Sequence, residues 1–299
     1  MPSAQDIRKK FRCFRILVVG RANAGKTTLL QKVCNTTEKP EIFDSKGKKI
    51  NADVVQGSVN RGNHDIKNEL VFRSNPGFVF HDSCGFEAGG EDEFKKMKEF
   101  VSERASTRQL NERIHVIWYC IPMDEYHRVI TVAEEKFFSE CDTSNVPVIA
   151  VLTKFDALSA VALGELRKKL TRKEALERMP NRVEEIFANA NIWGRLCETT
   201  YPPKNYIRLA KMNEAGTDCR PLLECTTDAL SKEALQILLI STQRTNLELC
   251  ITFAVKKVLI PYLTKAREGT LQLSEDCMPM QKEIAKWFPH TGVRQMILD

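Results

Sequence analysis

The junction at Gly20 constrains the fold more than any other feature of the chain. An apolar run, FRILVVG at residues 14–20, passes without a break into Gly20-Arg21-Ala22-Asn23-Ala24-Gly25-Lys26-Thr27 and then into TTLLQKVC, where Leu29, Leu30 and Val33 recur at helical spacing. Strand, glycine-rich turn and helix in that order are the start of a βαβ unit, which predicts an α/β fold with a mainly parallel sheet. The turn matches GxxxxGK[ST] with the strand before it and the helix after it that this pattern requires. Glycines let the backbone wrap around an anion, and the amides of the new helix point at it. A phosphate cradle is therefore expected at Arg21, Ala22, Asn23, Ala24, Gly25, Lys26, Thr27 and Thr28, with Lys26 bridging β- and γ-phosphates and the Thr27 hydroxyl on Mg²⁺.

The remaining pattern continues the alternation. ELVFRS and GFVFHDS are joined by Asn75-Pro76-Gly77, a turn short enough to demand an antiparallel hairpin. RIHVIWYCI, VPVIAVLTK and NYIRLAKM read as further strands, with helical stretches such as EDEFKKMKEFVSERA and EYHRVITVAEEKFFSEC between them. The expectation is a three-layer fold with a six-stranded, mainly parallel sheet, one strand antiparallel, and a helical C-terminal extension. Residues 1–13 form an N-terminal arm, 14–242 the main domain with a helical insertion at about 157–203, and 243–299 the extension. The polar segment 35–63 reads as a long mobile loop, and a helix is expected from near Asp228 through ALSKEALQILLIST.

Composition narrows the class. Hydrophobic residues at 42% and charged residues at 28% allow a core of ordinary size. The net charge of +6 is spread among acids rather than gathered into a basic face, so no nucleic-acid partner is expected. Ten cysteines without CxxC pairs, several within apolar runs, read as reduced, buried thiols of a cytoplasmic protein rather than disulfides or metal ligands. The N-terminus has no apolar core of signal-peptide length. The best candidate for a membrane span, CITFAVKKVLIPYL, is interrupted by Lys256 and Lys257, so no transmembrane segment is expected.

Three further motifs follow in order: His81-Asp82-Ser83-Cys84-Gly85 at the end of an apolar strand, Thr153-Lys154-Phe155-Asp156 after VPVIAVL, and Cys225-Thr226-Thr227 ahead of a helix. With the phosphate loop they resemble the P-loop GTPases of the translation-factor-related class, Era-like and septin-like G domains, over about residues 14–240. The resemblance implies bound GTP or GDP with Mg²⁺. Asp82 would hold the metal through water, and the Gly85 amide would sense the γ-phosphate. Asp156 would accept two hydrogen bonds from guanine, which adenine cannot supply. The Lys154 stem would cover the base. Thr153 stands where the family has Asn and would lose the amide that ties this loop to the phosphate loop. Cys225, Thr226 and Thr227 resemble the loop whose backbone contacts the guanine oxygen, although a helix N-cap accounts for the same residues. Ser58 is the choice among Ser58, Thr36 and Thr37 for the switch hydroxyl that completes the Mg²⁺ shell. His64 reads as a solvated loop histidine.

The resemblance also bears on catalysis, for which Lys26, Asn23 and Gly85 are the candidates. Phe86 occupies the position after DxxG where many small GTPases carry a water-orienting Gln, which implies slow intrinsic turnover. Asn23 matches the Asn of Era-like loops that bind potassium, or it stabilises the loop; Arg21 and Arg61 are alternative cations, in cis or across a dimer. Three readings compete: a GTP-hydrolysing conformational or assembly switch, a GTP/GDP-binding scaffold with negligible turnover, and an ATP-dependent enzyme sharing only the phosphate loop. A homodimer across the nucleotide face extends the first, and its effector is not encoded. The C-terminal helices are expected to pack on the main domain, against the alternative of a partner or membrane-surface contact.

Overall fold

A computed structural model describes residues 13–50, 65–83, 91–109, 111–128, 130–242, 247–270 and 273–288. The chain begins with β1 (Phe14–Gly20) and α1 (Lys26–Val33), followed by β2 (Glu41–Phe43), β3 (Lys49–Ile50), β4 (Glu69–Val71) and β5 (Phe78–Asp82). Next come α2 (Glu91–Ser106), β6 (Val116–Pro122), a kinked 3-10 turn at Met123–Arg128, and α3 (Val132–Glu140). After β7 (Val148–Thr153) the chain forms α4 (Ala157–Leu166), α5 (Arg172–Ala190) and α6 (Ile192–Cys197) before β8 (Asn205–Arg208). It then continues through α7 (Arg220–Ala229), α8 (Glu233–Thr242) and α9 (Leu247–Ala254). A π turn at Val255–Leu259 leads into α10 (Ile260–Arg267) and α11 (Leu273–Lys286).

The strands form one sheet in the order β3-β2-β4-β5-β1-β6-β7-β8. Five of them, β5, β1, β6, β7 and β8, pair in parallel. The other three build an antiparallel edge, with β4 beside β5 as the Asn75-Pro76-Gly77 turn requires. All six expected strands are present, but the sheet has eight, because β2 and β3 lie in the segment read from sequence as a loop. They are a three-residue and a two-residue strand, only half-buried at best, around the polar turn Asp44–Lys48. The Asp44 carboxylate accepts from the amides of Lys46 and Lys48 at 2.9 Å each, and Gly47 supplies the positive φ of 75°. Such a hairpin is fixed by turn chemistry rather than by apolar alternation, which is why its periodicity was illegible. The helix expected from Asp228 onward is also corrected: α7 ends at Ala229, and α8 begins at Glu233.

Strand β1 is buried along its whole length because it has a strand on each side and helices on both faces. Phe14, Ile16 and Val18 point into one layer with Leu29 and Leu30 of α1, Leu222 of α7, Leu238 of α8 and Phe253 of α9. Leu17 and Val19 point into the other, with Phe94 and Phe100 of α2, Phe138 of α3, Leu158 of α4 and Phe187 of α5. Each large side chain buried in these layers contributes about 1.5–3 kcal/mol. Helix starts in the second layer are set by local chemistry: Thr131 with Glu134 and Thr171 with Glu174 form reciprocal capping boxes on α3 and α5. The chain crosses from one side of β1 to the other between β5 and β6, and open parallel sheets bind ligands outside the carboxyl ends of their strands at such a switch point.

Candidate nucleotide site

The turn after β1 is shaped by residues that tolerate positive φ: Gly20 at 147°, Asn23 at 59° and Gly25 at 79°. Gly20 is also fixed by space, since a Cβ there would lie 2.4 Å from the Cys120 carbonyl oxygen of β6. Helix α1 starts at Lys26, and Gly25 before it offers no side-chain cap, so the first-turn amides are directed at whatever lies in the turn. The Lys26 ammonium donates to the carbonyls of Gly20 (2.9 Å) and Arg21 (3.1 Å) and sits 4.0 Å from Asp82 at the end of β5. Thr27 is exposed on the same turn, beside a half-buried Thr28; Ala22 and Asn23 are exposed and Ala24 is buried.

The base end lies at the tips of β7 and β8. Thr153 donates its hydroxyl to the Ala24 carbonyl at 2.8 Å, so the threonine itself ties this loop to the phosphate loop, and the loss of that tie expected from the missing amide is corrected. Lys154, at φ 53°, reaches Asp124 at 2.6 Å. One Asp156 carboxylate oxygen accepts from the backbone amide of Lys211 at 2.7 Å. The loop after β8 is stitched to the same place, with Leu209 donating to Leu152 (2.8 Å) and Phe155 donating to Leu209 (3.0 Å). The segment beside Asp156 is therefore Leu209–Met212.

Cys225, Thr226 and Thr227 do not form that loop. They lie inside α7, and both threonines are fully buried, each hydroxyl donating to the carbonyl one turn back at 2.7 Å. Thr226 also accepts from the Trp118 indole at 3.0 Å. Their role is packing of α7 on β6, and neither threonine is an N-cap. No residue type marks this contact in the sequence, because Lys211 contributes its backbone amide.

Arg21 is turned away from the cradle. Its guanidinium is 7% exposed, paired with Glu134 at 3.2 Å and with Glu125 at 3.3 Å, so it is committed within the protein rather than offered as a catalytic cation. Thr36 and Thr37 follow the far end of α1, roughly 12 Å along the helix from Lys26. They cannot complete a metal shell at Thr27. Ser58, Arg61, His64, Cys84, Gly85 and Phe86 lie outside the described residues.

Beneath Asp82, His81 is fully buried, its Nδ1–H donating to the Ile66 carbonyl (3.1 Å) and its Nε2 accepting from Arg15 (3.3 Å). Burial, reinforced by the Arg15 cation, pushes its pKa down to about 3, so the ring is neutral where the protein works. Burial likewise pushes the thiols of Cys34, Cys120 and Cys219 up to about 12 and removes their nucleophilic form.

A phosphate loop on β1, an aspartate at the tip of β5 and TKFD at the tip of β7, all at the carboxyl ends of parallel strands, have the arrangement of a P-loop GTPase domain. Residues 15–154 match the family model described as 50S ribosome-binding GTPase. No curated protein matches the chain. Among solved structures, Era of Aquifex aeolicus bound to GDP·AlF4⁻ is 15% identical with a TM-score of 0.38, covering 73% of this chain and 57% of that one. Era in complex with MgGDPNP and nucleotides 1506–1542 of 16S ribosomal RNA is 16% identical with a TM-score of 0.39, covering 74% and 57%. The septin GTPase domain of Chlamydomonas reinhardtii is 18% identical with a TM-score of 0.30, covering 52% and 59%. The chain thus spans less than two thirds of the length of each.

Guanine nucleotide and Mg²⁺ are the cofactors of such a domain, and the residues present fit them. The ammonium of Lys26 rests on two loop carbonyls that a phosphate can replace, and Thr27 and Asp82 flank it. Among the described residues no cluster of three or more His, Cys, Asp or Glu is placed to hold a metal. A Mg²⁺ site made of one hydroxyl, one carboxylate and substrate phosphates needs none. Among the described residues, too, no helix is long and apolar enough to cross a membrane.

Proposed function

We propose that this chain is a cytoplasmic guanine-nucleotide switch that hydrolyses GTP slowly on its own. The observation that carries the reading is Asp156: its carboxylate is fixed by the Lys211 amide, while Thr153, three residues earlier, holds the phosphate loop at Ala24. Base reader and phosphate cradle are thus one hydrogen-bonded unit. In the proposed complex, Lys26 exchanges its loop carbonyls for the β- and γ-phosphates. Thr27, Ser58 and Asp82 would hold Mg²⁺, which would supply charge compensation to the phosphates. The Gly85 amide reads the γ-phosphate. The domain occupies residues 14–242, with 157–203 as its helical insertion, 1–13 as an arm and 243–299 as the extension.

Slow turnover is supported by Phe86, which cannot orient water, and by Arg21, whose charge is held by Glu134. The same two observations support a second reading, a GTP- or GDP-binding scaffold with negligible hydrolysis. Potassium at Asn23, which is exposed at φ 59°, and a homodimer across the nucleotide face are the two routes proposed for acceleration. Identifying the nucleotide that co-purifies, then timing single-turnover GTP hydrolysis with Mg²⁺ in potassium and in sodium buffers, tests the set. Bound GDP with turnover faster in potassium is expected. Intact GTP after prolonged incubation would leave the scaffold, and ATP in place of guanine nucleotide would overturn both.

A further inference from the structure

Three carboxylates that belong to none of the nucleotide motifs grip two of them. Two come from the connection between β6 and α3, and the third from the first turn of α3. Glu134, the third residue of α3, is fully buried; one oxygen accepts from the Thr131 amide at 2.7 Å and from the Thr131 hydroxyl, and the other pairs with Arg21 of the phosphate loop at 3.2 Å. Glu125 takes the outer edge of the same guanidinium at 3.3 Å. Its neighbour Asp124 binds Lys154 of the base motif at 2.6 Å. Asp124 and Glu125 are adjacent in the turn Met123–Arg128, which is anchored by the buried Met123 and bent at Glu125, with φ −109° and ψ 47°. The bend turns consecutive carboxylates to opposite ends of the groove.

We propose that Asp124, Glu125 and Glu134 are positioning residues that brace the phosphate and base ends of the nucleotide groove against the turn Met123–Arg128 and the first turn of α3, acting through Arg21 and Lys154. None of them touches the nucleotide. A buried guanidinium needs a counter-ion, and Glu134 is held in place by the capping box before Arg21 arrives, so the phosphate loop docks on a preformed partner. The inference rests on the guanine-nucleotide reading above. It adds that the two ends of the ligand are felt by one stretch of chain, the turn Met123–Arg128 and the start of α3.

Affinities for GDP and GMP, measured by competition against a fluorescent GDP analogue, test it on the intact chain. Asp124→Asn frees the Lys154 stem that covers the base, so GDP and GMP should weaken by the same factor, about threefold to fivefold, the scale of a half-exposed ion pair. Glu134→Gln leaves Arg21 without its buried counter-ion, so GDP should weaken about tenfold or more and GMP distinctly less. Arg21→Gln combined with Glu134→Gln should be no worse than the worse single variant, because each removes the same contact. Should Glu134→Gln fail to fold, Glu125→Gln removes an exposed carboxylate from the same arginine and reads the same GDP-over-GMP split at smaller scale. Additive losses, or equal loss of GDP and GMP on changing the Arg21 partners, would overturn the brace while wild-type binding keeps the guanine reading intact. A wild-type protein that binds neither ligand would overturn both.

Discussion

At the level of single residues, a hydroxyl decides how the two halves of the site are joined. Thr153 donates to the Ala24 carbonyl from a buried position, so Thr153→Val keeps the shape and leaves that carbonyl without its donor. The cost should be about 1–3 kcal/mol of stability. GDP affinity should fall with it, while Thr153→Ser should recover most of both losses. Denaturant titration alongside GDP binding checks this, and an innocuous valine would show that the tie is incidental. His81 sets a pH limit instead. Its folded pKa of about 3 lies below its ordinary 6.5, so between those values the unfolded chain binds a proton that the folded chain refuses. Stability from this group is intact above pH 6.5 and is lost progressively as pH falls towards 3, by a few kcal/mol across the window, at about 1.4 kcal/mol per unit. The urea midpoint should decline over that range, and less steeply in His81→Gln.

At the level of elements, the place beside Asp156 that the sequence suggested for Cys225-Thr226-Thr227 is taken by the loop after β8. Thr226→Val removes the acceptor of the buried Trp118 indole and should destabilise by about 1–3 kcal/mol, yet it should leave the preference for GTP over ATP unchanged. Asp156→Asn alters the base-reading acceptor that the Lys211 amide fixes and should do the reverse, lowering guanine affinity severalfold with a smaller effect on melting, because the side chain is only half-buried. Competition binding and thermal melting on the two variants separate these outcomes. The contrast also explains what was legible. The phosphate loop, Asp82 and TKFD are contiguous residues at the ends of strongly apolar strands, so pattern and chemistry coincide. The Lys211 contribution is a backbone amide, which leaves no residue type to recognise. Cys225-Thr226-Thr227 looked polar enough for a loop because its hydroxyls satisfy carbonyls of their own helix, an option open to Ser and Thr when buried. Arg21 was read as an offered cation because its acids are 104 and 113 positions away in sequence.

At the level of the whole molecule, the C-terminal helices share one apolar layer with the sheet. Leu249, Phe253 and Trp287 are buried in the layer that holds Phe14 and Trp118, and Phe253 stacks on Trp287 at 5.9 Å. Phe253→Ala should therefore cost about 3–5 kcal/mol. It should lower a single calorimetric transition rather than melt the extension separately; two resolved transitions would contradict a common layer.

The place of β1 in the sheet has a consequence for how the chain is made. This strand precedes both of its sheet partners, carries the phosphate loop and consists almost wholly of apolar side chains, yet neither partner is local. Phe14 pairs with Phe78, and Ile16 with Val116, 100 positions later. Pairings so distant form slowly and leave apolar strand edges open in the meantime. On the ribosome the nascent chain must carry a sticky, single-sided β1 until residues beyond β6 are synthesised. Fragments ending before Val116 should therefore be insoluble, and production of the protein should depend on a chaperone that shields FRILVVG from its neighbours.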